Sequence, residues 1–322
     1  MTRAILMCFH KYTNFGDQFY EPLLDFQLQT FRKYKDEYDK VYLLDSTWNI
    51  DLFNKEKIYN ISKEDFNVEV IKVDPSLRYY DAYKEVLPQI KEDLVLFMDN
   101  DMVVYKPFVI DTTFRLLDPS DKHWNKDGIE QGAVDVVSII DQIGTYKTDK
   151  LKNGNKFCPY WFATRKDLLM KYLNVEWGPN MPEHETLGKL TEKMLEDGAR
   201  IFELAEDKSD ILFDGTKNPE KGKNLGYYHI RAGSTPAVLL AWKNSSDHQV
   251  QYQDYIKNQP KSEILRAFAW YDFMVAKTDN YKIQIEINNL MSEDLKTDDN
   301  PNLSLSSWVR YLSNFKDYHG LR

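Results

Sequence analysis

Cysteine is nearly missing from this chain. Cys8 and Cys158 are its only two, so a disulfide framework and an all-cysteine zinc site are both excluded. Long apolar runs are missing as well. The longest runs, such as Leu94–Met98, fall far short of the roughly 18–20 residues that cross a membrane as a helix, and no transmembrane segment is expected. Only Ala-Ile-Leu-Met-Cys-Phe separates Arg3 from His10 and Lys11, too short an apolar stretch for a secretory leader. Positive charge is in deficit. Lys and Arg number 42 against 51 Asp and Glu, a formal charge of −9, which argues against nucleic acid or an anionic membrane as the main partner, since both demand clustered cations. No internal repeat or low-complexity stretch is visible. A soluble chain in a reducing, cytoplasmic setting is the expectation.

What remains is ordinary globular usage, 42% hydrophobic and 29% charged over 322 residues, enough for a sizeable core in one large α/β domain with additions or in two domains. Aromatic residues are plentiful, with 21 tyrosines among them. Most must line the core or a cleft.

The first hundred residues alternate between two periodicities. Ala4–Phe9 is a short apolar run that suits a buried strand. A helix is expected over Glu21–Tyr34, with Pro22 in its first turn and Leu24, Leu28 and Phe31 at helical spacing. Lys40–Leu44 and Val68–Val73 read as strands closed by Asp45-Ser46 and Asp74-Pro75. Leu77–Ile90 reads as a helix. Leu94–Met98 is apolar throughout and so is expected to be buried on both faces. This order predicts an α/β, Rossmann-like fold: a mostly parallel sheet flanked by helices.

Further on, strands are expected at Val134–Ile140, Phe157–Thr164, Ala199–Leu204 and Gly226–Ile230. Helices are expected at Lys166–Leu173 and from Pro182 to a stop at Gly198. The Lys- and Gly-rich stretches 145–155 and 214–224 read as surface loops. The expected division is a nucleotide-binding catalytic domain over 1–235 and a mainly helical C-terminal extension over 236–322.

The strongest local signal is Leu94-Val-Leu-Phe-Met-Asp-Asn-Asp. A buried strand ends abruptly in Asp99-Asn100-Asp101. In parallel sheets, ligands sit beyond the carboxyl ends of the strands. Two carboxylates one residue apart would repel each other unless something neutralises them. A hard divalent cation such as Mg²⁺ or Mn²⁺ takes oxygen ligands and bridges to substrate phosphates. The plain alternative is a solvated turn, where Asp and Asn are common.

The strand array with its late hhhh-D-x-D resembles the GT-A-fold glycosyltransferases that use nucleotide-sugar donors. The resemblance covers roughly residues 1–235. It implies a GT-A type fold, a hexosyltransferase-like activity and a Mn²⁺ or Mg²⁺ ion held by Asp99 and Asp101. The ion would grip the diphosphate of a nucleotide-diphosphate sugar, beside Asn100. It also implies a late histidine as third ligand, and His229 in Tyr227-Tyr-His-Ile-Arg is the candidate, a neutral imidazole that adds no charge beside a diphosphate. Arg231 would pair with the leaving phosphate and Ser234 approach it, although Arg231 also suits a surface ion pair. An acidic pair at the start of a late helix would bind the acceptor or act as base, and Glu183-His184-Glu185 lies there. Acidic residues in a first helical turn are also favoured by the helix dipole alone. The family's usual motif at that place is Glu-Asp. Its usual glycine in the segment before is replaced here by Pro159-Tyr160-Trp161. Trp161 could face a sugar or the core.

For the nucleobase, the first strand's exit offers Tyr12 and Thr13, and the second strand's exit offers Asp45. Lys84 would place a cation near the donor. The expected partners are a nucleotide-sugar donor and a glycan or other hydroxyl acceptor. Two other enzyme classes share part of the pattern. A phosphatase of the haloacid-dehalogenase type would use Asp99 as nucleophile, but its motif opens the first strand of its domain and here three strands come before. A nucleotidyltransferase would need a Gly-rich basic loop after the first strand, and Phe9–Gly16 holds one Gly and one Lys. A non-catalytic sugar- or partner-binding protein is the remaining class, and the intact acid pair counts against it.

Overall fold

The structure is a computed structural model that describes residues 1–10, 17–46, 60–61, 67–104, 106–124, 130–142, 155–178, 186–204, 227–229, 235–259, 264, 267–268, 270–272, 274–275 and 281–293. The elements run β1 (Arg3–His10), α1 (Asp17–Lys33), β2 (Lys40–Ser46), β3 (Val68–Lys72), α2 (Tyr79–Val86), β4 (Leu94–Met98), β5 (Met102–Val104) and α3 (Val109–Leu117). Then come β6 (His123–Trp124), β7 (Glu130–Gln131), β8 (Val136–Gln142), β9 (Asn155–Arg165), α4 (Lys166–Met170), α5 (Gly188–Glu196), β10 (Ile201–Leu204) and β11 (Tyr227–His229). Helices α6 (Thr235–Lys243), α7 (Gln249–Asn258) and α8 (Tyr281–Glu293) follow.

Seven strands form the main sheet in the order β10-β8-β9-β4-β1-β2-β3. The pairs β1/β2, β2/β3, β1/β4 and β8/β10 are parallel. Only β9 runs against its neighbours β4 and β8. The expected Rossmann-like α/β sheet, mostly parallel and flanked by helices, is therefore the fold of this chain.

Alternation along the strands builds two cores. Ile5, Met7 and Phe9 of β1 join Leu94, Leu96 and Met98 of β4 on one face, under α1, α3 and the late helices. Ala4, Leu6 and Cys8 join Val95 and Phe97 on the other face, under α2, α4 and α5. A strand covered on both sides has no polar face to show, which is why Leu94–Met98 is apolar at every position.

Several boundaries differ from the periodicity reading, each for a physical reason. Helix α1 starts at Asp17, so Pro22 sits in its second turn. Burial of Phe19 and Tyr20 holds the first turn and outweighs the one backbone hydrogen bond that proline removes. Helix α2 ends at Val86 and passes into a 3-10 turn, Leu87–Gln89, at Pro88. Helix α4 is shorter than expected. Helix α5 begins at Gly188 after Leu187 in the left-handed region, and Pro182 lies outside the described residues. So do the expected loop stretches, apart from Asn155 in β9.

Helix α3 was not legible in advance, yet Ile110, Thr113, Phe114 and Leu117 bury one stripe of it. Its N-terminus is capped from a distance. The buried Glu37 carboxylate accepts from the backbone N–H groups of Phe108 (2.6 Å), Ile110 (3.0 Å) and Asp111 (3.1 Å), satisfying donors a helix start leaves open. The helices after Thr235 bury Ala237, Leu240, Tyr252, Phe268 and Tyr271 in the same hydrophobic cluster as Leu23, Leu24 and Phe31 of α1. The Tyr271 hydroxyl donates to the carbonyl of Phe19.

Candidate functional site

Strands β1, β2 and β4 are parallel neighbours, so their carboxyl ends share one edge of the sheet. Phe9 lies opposite Asp45, and His10 opposite Ser46. At this edge β4 stops at Met98 and the chain turns through Asp99-Asn100-Asp101 into β5. The turn is tightly held. The Asp99 N–H donates to the Tyr160 carbonyl at 3.3 Å, and the Met102 N–H donates to the Asp99 carbonyl at 3.1 Å. From α1, the fully buried Gln27 donates through Nε2 to the carbonyls of Asn100 at 2.9 Å and Met102 at 2.7 Å. Asp101 is 7% exposed, while Asp99 and Asn100 are half-buried.

The tertiary structure adds what sequence distance concealed. Strand β11 pairs antiparallel with β5, with Tyr227 opposite Val104, Tyr228 opposite Val103 and His229 opposite Met102. The backbone of the late histidine thus lies beside the residue that follows Asp101. Met102–Val104, directly after the acidic motif, is a strand in its own right.

Negative charge concentrates at this edge. Burial pushes the Cys8 thiol far above its usual range, and the charges of Asp99 and Asp45 push it further. The thiol stays protonated and is no nucleophile. Burial likewise raises the Tyr83 hydroxyl well above the usual phenol range, with Cys8 and Asp99 adding to it. Its oxygen accepts from the Cys8 N–H at 3.0 Å. Asp99, Asp45, Cys8 and Tyr83 are therefore close enough to share one electrostatic environment.

The remaining sequence candidates divide into those the structure locates and those outside the described residues. Asp45 is at the expected strand exit, within the last turn of pairing, and its carboxylate accepts from Lys72 Nζ at 3.0 Å. Lys84 Nζ donates to the Val175 carbonyl at 3.1 Å and lies over the Trp177 ring. Trp161, open beforehand to either role, is fully buried opposite Met98 and is core. Tyr12, Thr13, Glu183, Glu185, Arg231 and Ser234 lie outside the described residues, and only the backbone of His229 is described. Gln27 was missed. Its signal was a polar residue on the buried stripe that also holds Leu24, Leu28 and Phe31.

Among the described residues, no three His, Cys, Asp or Glu side chains converge as a complete metal cage. The chemistry present suits Mg²⁺ or Mn²⁺ better than an ion that needs such a cage. These ions bind through one or two carboxylates and keep positions for water and phosphate. The Asp99 and Asp101 carboxylates, on a held turn at the strand's end, fit that requirement.

No described helix is long and apolar enough to cross a membrane. No family model matches the chain, and no curated protein matches it. Solved structures do. S. aureus TarS, residues 1–349, is 14% identical, with a TM-score of 0.42 over 99% of this chain and 90% of that one. The mannosyltransferase PcManGT from Pyrobaculum calidifontis, solved with GDP-Man and Mn²⁺, is 11% identical, with a TM-score of 0.42 over 98% of this chain and 86% of that one. CMP:2-keto-3-deoxy-manno-octonic acid synthetase, solved with CTP, is 14% identical, with a TM-score of 0.37 over 64% of this chain and 90% of that one. Such likenesses concern the path of the backbone alone.

Proposed function

We propose that this chain is a metal-dependent glycosyltransferase that moves a sugar from a nucleotide-diphosphate sugar to an acceptor hydroxyl. The observation that carries the reading is the pairing of β11 with β5, which brings the His229 backbone beside Met102, next to the buried Asp101. The acid pair directly precedes one strand of this small two-stranded ribbon, and the histidine from much later in the chain ends the other.

In this reading Asp99, Asp101 and His229 hold the cation, and Asn100 contributes to the donor site. A bound divalent ion neutralises charge on the diphosphate as it leaves. Arg231 and Ser234 meet the same diphosphate, and Tyr12, Thr13 and Asp45 meet the nucleoside. Asp45 then exchanges part of its contact with Lys72 for a base N–H. Lys84 adds a cation toward the donor only by releasing the Val175 carbonyl. In the transfer, the acceptor oxygen bonds to the anomeric carbon as that carbon's bond to the diphosphate oxygen breaks. Glu183 or Glu185 takes the acceptor proton if the centre inverts.

The test is a panel of nucleotide sugars assayed for transfer and hydrolysis with Mn²⁺, with Mg²⁺ and with chelator. Turnover should depend on the metal, and Asp101→Asn should lower it by about 100-fold or more, the scale of losing one electrostatic stabiliser. Failure of every nucleotide sugar to bind with metal present ends the reading. Release of pyrophosphate from a nucleoside triphosphate would move it to nucleotidyl transfer, and beryllofluoride trapped on Asp99 would move it to phosphatase chemistry.

A further inference from the structure

Gln27 is an unusual residue for the inside of a core. It is fully buried in α1 among Leu23, Leu24, Leu28 and Phe31, where a hydrophobic side chain would serve packing better. Both of its N–H bonds are spent on one short stretch of another element, the carbonyls of Asn100 at 2.9 Å and Met102 at 2.7 Å. Its own Oε1 finds no hydrogen-bond partner among the described residues. A buried acceptor left unmet costs the fold stability, so the amide is not there for its own satisfaction.

Those two carbonyls stand on either side of Asp101. Fixing the Asn100 carbonyl limits the rotation of the peptide before Asp101, and fixing the Met102 carbonyl anchors the peptide that leaves the turn into β5, which together restrict the direction in which the Asp101 side chain leaves the backbone. The Met102 N–H donates to the Asp99 carbonyl, which holds the peptide after Asp101, and the Asp99 N–H donates to the Tyr160 carbonyl, so the turn is tied at four points. Met102 is at the same time the partner of His229 in the ribbon. One amide from α1 therefore sits where the acid turn and the histidine strand join.

We propose that Gln27 is a positioning residue for the cation: it holds the Asp99–Met102 turn in the conformation that aims both carboxylates, without touching the ion itself. This assignment rests on the cation reading above. Groups that orient ligands from behind raise affinity because the geometry is set before binding.

Mn²⁺ titration of the full chain, followed by electron paramagnetic resonance of the free ion, tests it. Gln27→Met keeps the length and removes both N–H donors. Its Mn²⁺ dissociation constant should rise about tenfold or more, the usual range for losing an orienting partner, at a temperature where both proteins are folded. The donor-sugar KM measured at limiting Mn²⁺ should rise with it and return toward wild type at excess Mn²⁺. A folded Gln27→Met with lowered thermal stability and unchanged Mn²⁺ affinity would make Gln27 merely structural and overturn the assignment. A wild-type chain that binds no Mn²⁺ would instead overturn the cation reading beneath it. If Gln27→Met does not fold, the wild-type protein decides the question. Adding Mg²⁺ should slow hydrogen exchange at the Gln27 side-chain amide in nuclear magnetic resonance spectra, and exchange that ignores Mg²⁺ overturns the assignment.

Discussion

At the scale of single residues, part of the high aromatic content is one packed layer on the face under α2, α4 and α5. Tyr83 meets Phe97 edge-on at 4.9 Å between centroids. Phe97 stacks on Phe162 at 5.6 Å, and Phe162 on Phe157 at 5.2 Å. Tyr80 closes this layer against Gly178 so tightly that a Cβ there would lie 2.3 Å from its Cε2 and 2.8 Å from its Cζ. The ring has little room to retreat, with Tyr79 edge-on at 4.9 Å and the Arg78 guanidinium over it at 4.9 Å. Gly178→Ala is therefore expected to destabilise the protein by about 1–3 kcal/mol, the range for overpacking a core. A lowered midpoint in thermal melts checks it, and an unchanged midpoint refutes the close approach. Nothing in the sequence marked Gly178, because a glycine's neighbour across a layer is set by helix and sheet packing. Asp99 and Asp101 were marked, because an apolar run ending in paired acids is a local signal.

At the scale of elements, the edge holding β8, β9 and β10 is tied by one carboxylate. Asp135 accepts from Arg165 Nη2 at 2.7 Å and from the Arg200 N–H at 2.8 Å. Burial alone would raise its pKa, but the hydrogen bonds from Arg200 and Arg165 and the charge of Arg165 outweigh that and lower it. A folded-state pKa below the unfolded one means that ionised Asp135 adds stability at and above the ordinary carboxylate range. That stability is lost as pH falls through the lowered value. Asp135→Asn should thus be less stable than wild type near neutrality, and the gap should narrow as pH falls below the ordinary carboxylate range and close below the lowered value. Denaturant melts across that pH series measure it, and a gap that does not change with pH would refute the linkage. Most elements of this sheet were readable from periodicity, since strands covered on both faces must be apolar throughout. Helix α3 and strand β5 were not. The first followed an acidic motif that drew attention to its charge, and the second is three residues long, too short for any period to show.

At the scale of the whole molecule, the proposed cation site implies a link between ion binding and folding. An ion that binds only the folded chain stabilises it by mass action, about 2.7 kcal/mol at a concentration 100 times its dissociation constant. Mn²⁺ should therefore raise the melting temperature, chelator should reverse the rise, and Asp101→Asn should abolish it. An equal rise in wild type and Asp101→Asn would place the ion elsewhere. The late helices enter the same balance. They share a core with α1 through residues such as Leu240 and Tyr271, and α1 carries Gln27.

By itself the sequence determined the sheet's existence, its apolar central strand and the acid pair at that strand's end, since burial on two faces and charge beside an apolar run are written locally. Only the tertiary structure decided which distant segment would lie beside that pair. The antiparallel match of Tyr227–His229 with Met102–Val104 is made by backbone hydrogen bonds between segments far apart in the chain, and no spacing of residue types encodes it, because main-chain groups are the same at every residue. The Gln27 side chain was visible as a polar residue on a buried stripe, but which carbonyls it would reach from α1 was set by the packing of that helix on the sheet.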